Sequence, residues 1–196
     1  MKRLLALVMV LALTVSVVSA GLISLGVGGF ALNDSFTSGS GSGAALADFG
    51  AYRIGAEARV GVLFAEASVS ALYQNQESAE AVLEGLATLG FDFNIFNILH
   101  FGLGVGPYFG ISETTEGFGL LTGDAENPSP AANLQEILDG STVYIRAHGD
   151  FQLGKLSVGV TYQVPTSGYV IGGNPLALYP DWESARYGAT AMFWIF

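Results

Sequence analysis

The chain contains no cysteine, which rules out disulfide staples, thiolate nucleophiles, zinc–thiolate centres and a lipoprotein anchor. Charge is scarce as well. Only 12% of its 196 residues are Asp, Glu, Lys or Arg, against about 25% in soluble globular proteins. That charge is lopsided, with 7 basic and 17 acidic residues, so nucleic acid is not expected as a partner. Beyond residue 20 no apolar run approaches the ~20 residues of a spanning helix, yet 51% of the chain is apolar and its mean hydropathy is +0.48. Only helices and closed β-barrels satisfy every backbone polar group in hydrocarbon, and with helices absent a barrel is expected.

The first 20 residues carry Lys2 and Arg3, an apolar stretch from Leu4 to Val18, and Val18-Ser19-Ala20 before Gly21. That order of positive, apolar and small residues reads as an export signal cut after Ala20, leaving one domain over residues 21–196. A membrane anchor is the alternative. The apolar stretch is short for one, and no stop-transfer pattern comes after it.

The chain after residue 20 alternates in polarity. Tyr52, Ile54, Ala56, Ala58 and Val60 fall on one face of an extended chain, with Arg53, Gly55, Glu57 and Arg59 on the other. Similar alternation recurs over 23–28, 65–74, 83–95, 99–111, 143–153 and 156–164, and a last segment runs from Tyr187 to Phe196. Eight antiparallel strands in an up-and-down transmembrane barrel are predicted, apolar toward lipid and polar toward the lumen. The stretch from Ser78 to Leu89 also fits a helix, but its continuation through Phe91 and Phe93 favours a strand. A soluble barrel with a ligand cavity would need the opposite dressing. In the last segment both faces are apolar. Strict alternation from Arg186 and Thr190 sends Phe196 inward, whereas a bulge near residues 188–191 would turn Trp194 and Phe196 outward to an interfacial girdle.

Connections after strands two, four and six are short, while those at 32–49, 75–80, 113–141 and 165–184 are long. This asymmetry puts both termini at the short-turn, periplasmic rim. Within the third long connection, Ser129-Pro130 ahead of Leu134, Ile137 and Leu138 predicts one or two helical turns. The long connections hold twelve acids (Asp34, Asp48, Glu77, Glu80, Glu113, Glu116, Asp124, Glu126, Glu136, Asp139, Asp181 and Glu183) and no Lys or Arg. Such a rim attracts divalent cations or basic partners, or simply keeps exposed loops soluble. It has no Asp-x-Asp-x-Asp-Gly spacing for a dedicated calcium loop.

The remaining ionisable residues fall on the lumenal faces: Arg53, Glu57, Arg59, Glu66, Glu84, Asp92, His100, Arg146, His148, Asp150 and Arg186. An eight-stranded bore is about filled by side chains, so these charges should pair across it, each arginine held by an acid. Partner exchange among them would make a narrow gate. Glycines at 102, 104 and 106 on the same face leave room for internal water. His148 and Asp150 share a face, with Ser68, Ser70 or Ser157 as candidate nucleophiles, but two residues apart on a strand is what lumen packing gives anyway. No enzyme is expected. No spacing marks a metal or cofactor site.

The C-terminal pair Trp194 and Phe196 resembles the terminal aromatic signal by which bacterial outer-membrane proteins are recognised for assembly. With the export signal and the loop asymmetry, residues 21–196 resemble the small eight-stranded outer-membrane barrels of the OmpX, OmpA-barrel and OmpW families. The resemblance implies a Gram-negative cell envelope, outer-membrane lipid as surroundings and the barrel-assembly machinery as a partner.

Overall fold

The computed structural model describes residues 23–33, 52–74, 82–95, 98–114, 117–123, 128–170 and 179–196. The segment read as an export signal lies outside them, as do Asp34, Asp48, Glu77, Glu80, Glu116, Asp124 and Glu126 of the acidic loops. The barrel strands are β1 (Ile23–Asn33), β2 (Tyr52–Val62), β3 (Ala65–Gln74), β4 (Val82–Ile95) and β5 (Leu99–Thr114). After two short loop strands, β6 (Gly117–Gly123) and β7 (Pro128–Ala131), and a helix α1 (Leu134–Gly140), come β8 (Thr142–Leu153) and β9 (Leu156–Val170). The two-residue β10 (Tyr179–Pro180) precedes the closing strand β11 (Arg186–Trp194).

Eight of these close on themselves. Each of β1 to β5 pairs antiparallel with the next, β5 with β8, β8 with β9, β9 with β11, and β11 returns to β1. Closure leaves the body of the sheet without an edge, which is what a hydrocarbon environment demands of strands. Side chains obey the period of two. Ile54, Val69, Leu89, Phe91, Leu103, Val158 and Val160 are exposed on the outside, while Glu57, Arg59, Glu84, Arg146 and Asp150 are buried within. Exposing so continuous an apolar belt is unfavourable in water and not in hydrocarbon, so the dressing is that of a membrane barrel rather than a soluble one.

The short turns gather at one rim. β2 and β3 are joined through Leu63-Phe64, and β8 and β9 through Gly154-Lys155. In both, the first central residue takes positive φ, 59° at Leu63 and 64° at Gly154, as in the two-residue hairpin turns that match strand twist. Gly154 adopts this freely; Leu63 does so against its Cβ. Leu63→Gly should therefore stabilise the barrel by about 1 kcal/mol, read as a higher urea midpoint for folding into lipid vesicles. An unchanged or lower midpoint would place no strain at this turn.

Two expectations change and one open alternative is decided. Strands β1, β5 and β9 overrun the segments anticipated from alternation, to Asn33, Thr114 and Val170. The third long connection holds more than helical turns: β5 continues into a hairpin with β6, which pairs with β7. The helix does form there. Asn133 accepts from the Glu136 backbone N–H at 3.0 Å and the Glu136 carboxylate accepts from the Ala132 N–H at 2.8 Å, a reciprocal cap. Thr122 Oγ1 of β6 donates to the Ile137 carbonyl at 2.9 Å and ties α1 to the hairpin. Finally, β11 has no bulge. Its burial alternates without a break from Arg186 to Trp194, so Met192 and Trp194 point into the lumen, Phe193 and Ile195 lie outside, and the terminal Phe196, beyond the end of the strand, is 48% exposed. Apolar residues on both faces hid this orientation from the sequence.

Candidate functional site in the barrel lumen

Four strands supply the central charges. β2 carries Glu57 and Arg59, β3 carries Glu66, β4 carries Asp92 and β8 carries Arg146, His148 and Asp150, each at an inward position of its alternation. Arg59 is the hub. Its side chain is 0% exposed; Nε donates to Glu57 Oε1 at 2.6 Å and Nη2 to Glu57 Oε2 at 3.3 Å, a two-pronged fork. Its Nη1 crosses the bore to Asp150 Oδ2 on β8. The other Asp150 oxygen accepts from Thr190 Oγ1 of β11 at 2.6 Å. Arg146 reaches back the other way. Its Nη2 forms an ion pair with Glu57 that lacks hydrogen-bond geometry, and its Nη1 donates to Ser68 Oγ at 2.7 Å.

Toward the long-loop rim, Glu84 of β4 holds two arginines at once. Arg53 Nη1 donates to one carboxylate oxygen at 2.7 Å and Arg186 Nη1 to the other at 2.8 Å. Around them lies an apolar layer: Phe30, Leu32 and Leu72 form one buried cluster, and Leu86, Tyr108 and Tyr144 another; the alternation of polarity put the two tyrosines on the lumenal face but not the other four. Continuing the alternation of β1 past Gly28, and of β3 through Leu72, would have found half of it. The cavity lined by this layer, Glu84 and Arg186 is about 10 Å³, room for about one water.

Toward the short-turn rim, His100 stacks on Trp194 at 5.5 Å between ring centroids. One ring nitrogen lies 3.2 Å from Asp92 Oδ2 and the other is hydrogen-bonded to Gln152 Oε1. Trp194 is fixed in turn, its Nε1 donating to Ser157 Oγ at 3.0 Å.

All eleven lumenal residues anticipated from the sequence thus point inward, and the four arginines are held by Glu57, Glu84 and Asp150. Glu66 and Asp92, expected to share that task, face the histidines instead: Glu66 Oε2 lies 3.6 Å from His148 Nε2. The room anticipated beside the β5 glycines is taken. A Cβ on Gly102 would overlap the His148 imidazole, and one on Gly106 would strike the Ala87 carbonyl.

A closed eight-stranded sheet, apolar outside and ion-paired inside, defines a small membrane-spanning β-barrel. No family model matches the chain. No curated protein matches it either. Among solved structures it is similar to Neisserial surface protein A, with 7% identity and a TM-score of 0.42 over 87% of this chain and 94% of that one.

Proposed function

We propose that this protein is an outer-membrane barrel, exported and cut after Ala20, whose bore is sealed and whose work is done at the rim, as a structural or interaction protein displaying acidic loops. The observation that carries this reading is the filling of the lumen. Arg59, Arg146 and Asp150 are each at most 2% exposed and brace opposite walls, and the apolar layer above them leaves a cavity of about 10 Å³. A hydrated solute would have to break several charge-assisted hydrogen bonds at once. The loops, with twelve acids and no base, are suited to divalent cations bridging to anionic lipid, or to basic partners. No catalytic role is part of this reading.

Conductance tests it. The mature chain in a planar bilayer should pass no more current than the protein-free membrane. Sustained single-channel steps from the wild type would replace the sealed barrel by a narrow porin-like channel. The feature favouring that second reading is Glu84, one carboxylate shared by Arg53 and Arg186 and able to release either while keeping the other. Glu84→Gln should then raise the current.

A further inference from the structure

We propose that the lumen holds a divalent first-row transition-metal site formed by Glu66 of β3, Asp92 of β4 and His148 of β8. One ligand atom from each lies within 4.8 Å of the other two. Tetrahedral ligands on bonds near 2.0–2.2 Å stand roughly 3.3 Å apart, so the three would close on an ion by side-chain movement alone. The backbone already holds them around one point.

Two observations separate this trio from ordinary lumen packing. The His148 side chain is 3% exposed, and its Nε2 has no hydrogen-bond partner. That nitrogen stands 3.6 Å from Glu66 and 3.7 Å from Asp150, within attraction but beyond hydrogen bonding. Asp150 is otherwise engaged, one oxygen by Arg59 and the other by Thr190. The second observation is Asp92. Its Oδ2 faces His100, while its buried Oδ1 has no partner. Buried polar atoms left without partners are uncommon, and two on the same small cluster point to a missing electrophile. Gly102 belongs to the arrangement too, since any Cβ there would occupy the space of the His148 ring.

The charges around the trio favour a cation. Among the described residues, Glu57 and Asp150 take up Arg59 and Arg146, while Glu66 and Asp92 face His148 and His100, a surplus of two carboxylates. Arg59 is hydrogen-bonded to Glu57 and Asp150, and Arg146 donates to Ser68 and pairs with Glu57. One imidazole and two carboxylates suit zinc and its neighbours, whereas calcium takes six to eight oxygens. His100 would orient Asp92 from outside the site, as hydrogen-bond partners of ligating groups do. Entry would be from the short-turn rim, where Asp92 is the least buried of the three at 12% exposure.

The test uses the full mature barrel folded in detergent micelles, stripped with chelator and dialysed against Zn²⁺. Elemental analysis after gel filtration should find one zinc per barrel, and X-ray absorption at the zinc edge should show one imidazole among oxygen ligands. Glu66→Gln and His148→Gln should each weaken binding by well over tenfold, because residues that merely orient a ligand already cost about 10- to 100-fold. Neutralising the loop acids by Glu136→Gln and Asp139→Asn together should leave the bound zinc in place. No retained zinc would overturn the site. So would an all-oxygen shell, or zinc lost with the loop acids but kept in the Glu66 and His148 variants. The wild-type stoichiometry and absorption spectrum decide the matter even if a variant fails to fold. Both are independent of conductance, so a conducting barrel could still bind the ion and a sealed one could still lack it.

Discussion

An Arg59→Ala barrel should lose about 3–5 kcal/mol of folding stability, the cost of removing one partner from a buried ion pair. The side chain is fully enclosed and serves two carboxylates, Glu57 by a fork and Asp150 across the bore. Alanine leaves both acids in a space too narrow to hydrate them freely. Arg146 keeps its ion pair with Glu57, so Asp150 is the more exposed to the loss, retaining Thr190 but no guanidinium. Arg59→Lys should recover only part of the stability, since a point charge cannot reproduce the fork. Equilibrium unfolding in urea from lipid vesicles measures both variants against the wild type. A loss below about 1 kcal/mol, the range of a surface ion pair, would mean that the hub contributes little to holding the barrel together.

Trp194→Ala is expected to rank next, at about 3–5 kcal/mol for a large buried aromatic. Trp194 is 5% exposed, stacks on His100 and bonds Ser157. Its removal takes away packing, a hydrogen bond and the surface that steadies the imidazole beside Asp92. Trp194→Phe should restore most of the packing and leave a deficit of about 1 kcal/mol for the missing N–H donor. If Trp194 instead lay outside in the interfacial girdle, alanine and phenylalanine would both behave as mild surface changes. The comparison therefore tests the orientation of β11 as well as its energetics.

Much of the architecture was legible because a strand reports its two environments in alternate residues. Arg53, Glu57 and Arg59 opposite Ile54, Ala58 and Val60 leave one choice of inside, and the same logic located His100, His148 and Asp150. It failed where the contrast vanished. In β11, Met192, Phe193, Trp194 and Ile195 are all apolar, and it takes the unbroken alternation from Arg186, with Gly28 paired to Met192 and Gly26 to Trp194 across β1, to show which of them enters the bore. Part of the upper apolar layer was missed for a related reason: Phe30, Leu32 and Leu72 look like lipid-facing residues until their neighbours' parity is traced through. Partner choice among the charges was out of reach altogether. Whether Arg59 meets Asp150 or Asp92 depends on strand stagger around the barrel, which no single strand encodes. The trio of Glu66, Asp92 and His148 lies on three strands for the same reason and leaves no spacing to recognise.

The bracing of the lumen also bears on how the barrel comes into being. Arg59 and Asp150 are 91 residues apart in sequence, and Arg186 and Glu84 are 102 apart. Neither partnership exists in a single hairpin. A partly built sheet would therefore carry Asp150 and Arg186 toward the membrane interior without these partners, each at a cost of several kcal/mol. Only when β11 meets β1 do the opposite walls come within reach and the charges neutralise one another. Insertion should accordingly be all-or-none: an incomplete ribbon is held back at the interface by the very groups that lock the finished one, and the charges act as a checkpoint on closure.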